Sequence, residues 1–279
     1  MSRPILLTLT GELPVLLREQ DRALLTALER LPAAVGAVIV GAEGRPLQLD
    51  PVAVATALSV RAPGLPVLVA SDGIGDAPYN AARRFLALDH LSRGNSGVVF
   101  RSGEGDAAQT AERIDVIRAL WNSWPVGTLL ADRERRVYAT TENIRRIEHA
   151  GAHYRVAGAL NSPSSSQGEP VSIWQVESPD DLAVAHGLVD VVIIDDAALI
   201  DAWRESDAET RPALAAVSGT DGASFELVDA RSLAELRDLA EPAASARPDR
   251  TAVTLRTRLG LPTRTYDLSD KPLAFGVAS

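Results

Sequence analysis

At 279 residues the chain is at the upper end for one domain, the size of a single (β/α) barrel or one open sheet with a large buried core. Its formal net charge of -9 argues against a nucleic-acid partner, because holding a phosphate backbone needs a basic surface that releases counterions. With Cys 0 in the composition, disulfides, thiolate metal sites and cysteine nucleophiles are excluded.

Ile5 to Thr10 reads as a first buried strand, and Pro14 to Leu31 as one helix with Leu17, Leu24, Leu25 and Leu28 on its inner side. A second strand is expected at Val35 to Val40. Asp50 followed by Pro51 opens the next helix, with a capping carboxylate and a proline where no N–H is needed. Pro66 to Ala70 is too apolar for a half-exposed edge and suits a parallel sheet covered on both faces. Pro78 to Ser92 follows as a helix, with Asp76 expected as its cap and Ala81, Phe85 and Leu88 as its apolar stripe. A fourth strand at Val98 to Phe100 and a helix from Ala107 to Trp124 complete four βα units.

Residues 125–170 break the rhythm, and within them Ser164-Ser165-Ser166 reads as a solvated loop. The rhythm resumes with a strand at Val171 to Gln175, a helix from Ser178 to Leu188, a strand at Val191 to Ile194 and a helix from Ala197 to Glu205. Strands at Ala213 to Val217 and Phe225 to Val228 and a helix from Ser232 to Leu239 follow. Between the last two strands residues 218–223 form only a loop, so one expected crossover helix is missing or replaced. The expectation is a TIM-like (β/α)8 barrel in one domain over 1–279, with an excursion at 125–170 and a tail at 242–279. No run approaches the ~20 apolar residues that cross a bilayer and no signal-type segment is evident, so a cytoplasmic protein without membrane contact is expected.

Pro78-Tyr79-Asn80, Ala82-Arg83-Arg84-Phe85 and Leu88-Asp89-His90-Leu91-Ser92 together resemble the bacterial luciferase-like monooxygenases, in the nitrilotriacetate, pristinamycin and dibenzothiophene-sulfone branch. Ile117-Arg118-Ala119-Leu120-Trp121 with Ser123-Trp124 is similar to that family's fourth helix. Ile147, His149, Gly151, His153, Tyr154, Val156, Gly158 and Leu160 are similar to its excursion, and Gln167-Gly168 with Pro170 follow in the family's order. Thr254-Leu255-Arg256 and Arg258 to Pro262 are similar to its closing segment. Members are commonly longer, and here the loops after the first, fourth and seventh strands look cut short.

The resemblance implies a barrel that uses reduced FMN from a separate reductase to oxygenate a small organic substrate, usually as a homodimer. The alternative is a flavin-free barrel serving as a non-catalytic partner or regulatory subunit. Carried over position by position, the flavin contacts are Glu43 in Ala42-Glu43-Gly44, Ser71, and Ser178 at the turn that holds the FMN phosphate. At Asn95-Ser96-Gly97 the family's aromatic residue and asparagine have no counterpart, and no catalytic base is identifiable. Glu177, Asp180 and Asp181 crowd the phosphate turn and would repel a dianion, and Pro179 removes a donor. Asp89 and His90, at a helix end, read as structural, as does His186. His149 and His153 are separated by a glycine and lack the pattern of a zinc helix, so no metal is expected.

Overall fold

The computed structural model describes residues 3–41, 50–73, 76–102, 106–241 and 253–275. Along the chain run β1 (Ile5–Leu9), α1 (Leu13–Arg18), α2 (Arg22–Glu29), β2 (Val35–Val40), α3 (Pro51–Arg61), β3 (Val67–Ser71), α4 (Pro78–Leu91), β4 (Ser96–Arg101) and α5 (Ala107–Asn122). The excursion holds two hairpins, β5 (Leu129–Asp132) with β6 (Val137–Ala139) and β7 (Arg146–Ala150) with β8 (Arg155–Gly158). Then come β9 (Val171–Gln175), α6 (Pro179–Ala185), β10 (Val191–Ile193), α7 (Ala197–Glu205), β11 (Ala213–Ala216), β12 (Phe225–Ala230), α8 (Leu233–Ala240) and α9 (Leu255–Arg258).

Eight parallel strands close in the order β1-β12-β11-β10-β9-β4-β3-β2. Side chains alternate along each strand. Leu6, Ile39, Leu68, Val99, Ile173, Ile193 and Phe225 fill the barrel, while Val69, Phe100 and Trp174 face the helices in the larger outer core. Leu255 and Leu259 belong to the inner cluster and close the barrel at the amino ends of its strands. Two glycines make room there. A Cβ on Gly36 would stand 2.8 Å from Leu259 Cδ2, and one on Gly97 would stand 2.5 Å from the Val171 carbonyl oxygen.

The expected barrel is present, and the crossover helix between β11 and β12 is absent as anticipated. The barrel closes regardless, with Ala215 paired to Phe225 and Ile5 to Glu226. A four-residue strand rises only about 13 Å, a distance that a short extended loop can retrace. Arg204 of α7 donates to the Asp221 carbonyl at 3.0 Å and holds that loop in place.

Three local expectations change. The helix expected over Pro14 to Leu31 is two helices, because Gln20 turns left-handed at φ 54 and the Asp21 carboxylate caps α2 by accepting from Leu24 N at 2.9 Å. Asp76 does not cap α4, whose N-cap is Ala77 without a side-chain bond. Its carboxylate instead accepts from Arg84 Nη1 at 2.5 Å, a charge-assisted bond that outcompetes a backbone N–H. Ser164 and Ser165 are buried rather than solvated, because the Ser165 hydroxyl donates to buried Asp89 at 2.5 Å.

Candidate functional site at the carboxyl ends of the strands

In a parallel barrel the carboxyl ends of the strands, with the loops that follow them, are where ligands are bound. Here that mouth gathers Ser71, Asp72 and Gly73 after β3, Arg101 and Ser102 at the end of β4, and Gln175 to Ser178 after β9. The register sets Ser71 beside Phe100 and Arg101 beside Gln175.

Arg101 lies between two carboxylates. Its Nη1 is 3.7 Å from Asp72 Oδ1 and its Nη2 is 3.6 Å from Glu177 Oε1. Gln175 Nε2 donates to the same Glu177 oxygen at 3.3 Å. These are long contacts between half-exposed groups, so they steer charge at the mouth more than they stabilise the fold.

Ser71 is the last residue of β3 and shares the outward phase of Val67 and Val69. Its hydroxyl accepts from Arg113 Nη2 of α5 at 3.2 Å. Arg113 is only 3% exposed, with its guanidinium 5.9 Å from the Phe100 ring centroid. Among the described residues its Nε has no hydrogen-bond partner, and neither does Asp72 Oδ1. Burial lowers the Arg113 guanidinium, while the nearby Tyr154, Asp76 and Asp72 act the other way. Burial likewise raises the Asp76 carboxyl, and the Arg113 charge opposes it.

Ser178 begins the turn into α6, and its hydroxyl accepts from Asp181 N at 3.1 Å. Asp181 reaches back: its Oδ2 accepts from Glu177 N and from Ser178 N, both at 3.1 Å. Its Oδ1 accepts from the Ser102 hydroxyl at 2.5 Å. This is a reciprocal capping box, and it engages three N–H groups of the turn, those of Glu177, Ser178 and Asp181. As built, the turn does not fit a phosphate dianion.

Glu43 lies outside the described residues. Ser71 and Ser178 sit at the same end of the barrel, but each is engaged in its own local bonds and none joins the two. Reasoning from sequence did not single out Arg101, Arg113 or the role of Asp181. Two signals were available: an arginine on the apolar stripe that also carries Ile114 and Ile117, and a carboxylate three residues after Ser178.

The histidines have other tasks. His90 Nε2 is 2.8 Å from the Pro163 carbonyl, and His186 Nδ1 is 3.3 Å from Thr210 Oγ1. His149 Nε2 is 2.9 Å from Glu112 Oε1. Among the described residues no group of acidic and histidine side chains is arranged to hold a metal ion, and no helix is long and apolar enough to cross a membrane.

No family model matches the chain. It is 36% identical over 123 residues to a component of the pristinamycin IIA synthase of Streptomyces pristinaespiralis, a stretch covering 44% of this chain and 42% of that protein. It is 29% identical over 170 residues to nitrilotriacetate monooxygenase component A of Aminobacter aminovorans, covering 55% of this chain and 38% of that one. The matched stretches thus span less than half the length of either relative. Among solved structures, EDTA monooxygenase from Chelativorans sp. BNC1 superposes with a TM-score of 0.65 at 14% identity, over 94% of this chain and 99% of that one. The resemblance read from the sequence therefore stands as a similarity: over the matched stretches the chain is similar to components of monooxygenase and synthase systems, and it shares the barrel fold of the solved monooxygenase.

Proposed function

We propose that this chain is the barrel component of a flavin-dependent monooxygenase, taking reduced FMN from a separate reductase and acting on a small organic substrate at the mouth of the barrel. The observation that carries this reading is the sequence match to nitrilotriacetate monooxygenase component A across 55% of the chain. The match to one component of a synthase supports the multi-component character. A homodimer and a cytoplasmic setting belong to the same reading. Flavin, when bound, supplies the oxygen chemistry, and the protein's part is to bind, orient and exclude water. The Arg101 cluster stands at the mouth where it would do so, and Glu43, Ser71 and Ser178 are the positions matched to family contacts. No catalytic step is assigned through the flavin, because the α6 turn does not fit its phosphate.

That misfit favours a second reading, a flavin-free barrel acting as a partner subunit. Titration with FMN separates the two. Quenching or a spectral shift of flavin fluorescence at micromolar concentrations is expected for the monooxygenase; unchanged fluorescence through millimolar FMN selects the flavin-free partner.

A further inference from the structure

The α6 turn bears on which flavin the mouth can take, an inference that rests on the flavin reading above. Of the N–H groups opening the helix, Pro179 has none and Asp180 keeps its own, while those of Glu177, Ser178 and Asp181 are engaged within the turn. The acceptor for two of them is the Asp181 carboxylate, which is 3% exposed and also takes the Ser102 hydroxyl. A phosphate could use the Glu177 and Ser178 donors only by displacing that carboxylate, which would then lose two of its hydrogen bonds while buried. Asp180 and Glu177 add negative charge at the same turn. The cation beside it, Arg101, already faces Asp72 and Glu177.

We propose that Asp181 is a specificity-determining residue that stands in for the flavin phosphate. The mouth then recognises a flavin through its ring system and ribityl chain, and takes riboflavin as readily as FMN. The difference between the two ligands is a dianion, so a pair of affinities isolates what the turn contributes. A phosphate held by two or three charge-assisted bonds favours FMN by on the order of a hundredfold. A turn already filled by its own carboxylate gives affinities within about threefold of each other, or favours riboflavin.

The experiment is a fluorescence titration of the full chain with oxidised FMN and with riboflavin at one ionic strength, repeated for Asp181→Gly and Asp181→Asn. Near-equal affinities in the unaltered chain are expected. Asp181→Gly, which frees the donors and removes the charge, is expected to tighten FMN about tenfold or more and leave riboflavin unchanged. Asp181→Asn, which removes the charge but keeps an acceptor, is expected to give a smaller gain. Unchanged riboflavin affinity shows that the variants keep the site. FMN at least tenfold tighter than riboflavin in the unaltered chain, or no FMN-specific gain in Asp181→Gly, overturns the proposal. Binding of neither flavin overturns the monooxygenase reading itself, and the proposal with it.

Discussion

The two ends of the barrel treat charge in opposite ways. At the amino end Arg256 is buried and makes a two-point bond with Asp190, at 2.7 Å and 2.9 Å, while donating to the Glu169 carbonyl at 3.1 Å. Arg118 grips the Glu169 carboxylate in the same two-point manner, at 2.7 Å and 3.2 Å. Buried Asp89 accepts from Ser96, Ser165 and Gln167, and Arg256 N donates to Gln167 Oε1 at 3.1 Å. At the carboxyl end the Arg101 pairs are long, at 3.7 Å and 3.6 Å. A floor whose buried charges are matched in this way fixes the closing segment against the barrel. A mouth whose ion pairs are long and partly exposed holds its charged groups loosely, where a ligand or water can meet them.

The contrast can be broken most forcefully at the floor. Arg256→Ala removes the two-point partner of buried Asp190 and leaves it only the more distant Arg264, at 3.6 Å, and the Ser172 donors; it is expected to lower stability by about 3–5 kcal/mol in urea unfolding. A loss under about 1 kcal/mol would mean the floor is no more tightly built than the mouth. Leu255→Ala, which removes part of the apolar plug, is expected to lower stability by about 2–4 kcal/mol in the same assay.

The next effect is on pH dependence, on the mouth side of α5. Burial pushes the Glu112 carboxyl up, but the hydrogen bonds from His149 and from the N–H groups of His153 and Tyr154 outweigh it and bring it to about 2. A carboxyl held below its unfolded value stabilises the fold fully above that value, here near 4.5, and loses this contribution as the pH falls through the folded value. Acid unfolding of Glu112→Gln, followed by circular dichroism, is therefore expected to show a shallower loss of stability between those limits than the unaltered chain. An identical acid profile would remove Glu112 as the clamp of the β7–β8 hairpin.

The smallest stability effect is expected at the mouth. Arg101→Gln should change unfolding stability by less than about 1 kcal/mol yet alter flavin affinity measured by fluorescence. The reverse pattern, a large loss of stability with unchanged affinity, would make Arg101 part of the scaffold.

Much of the barrel was legible in the sequence because its strands are continuous apolar runs bounded by turn residues: Val35–Val40 and Ala197–Glu205 have the bounds read from the residues alone. Asp50 caps α3 as its Asp-Pro pair suggests, accepting from Val52 N at 2.8 Å. What stayed hidden depends on partners distant in sequence. Ser165 looks like a loop residue until Asp89 is brought to it, and Arg256 looks like part of a charged tail until it meets Asp190. Asp76 had a better partner in Arg84 than the helix it precedes. At the site, the acidic turn was visible as three carboxylates, but only the geometry shows that Asp181 turns inward and uses the donors itself.

The central claim is that the carboxyl-end mouth binds the flavin while the amino-end floor only supports the fold. Hydrogen exchange read by mass spectrometry, with and without saturating flavin, tests it most directly. The expected result is added protection in the segments that carry residues 71–73, 96–102 and 171–181, with no change in 253–262. Protection confined to 162–170 and 253–262, or none anywhere under conditions where flavin is bound, would contradict it.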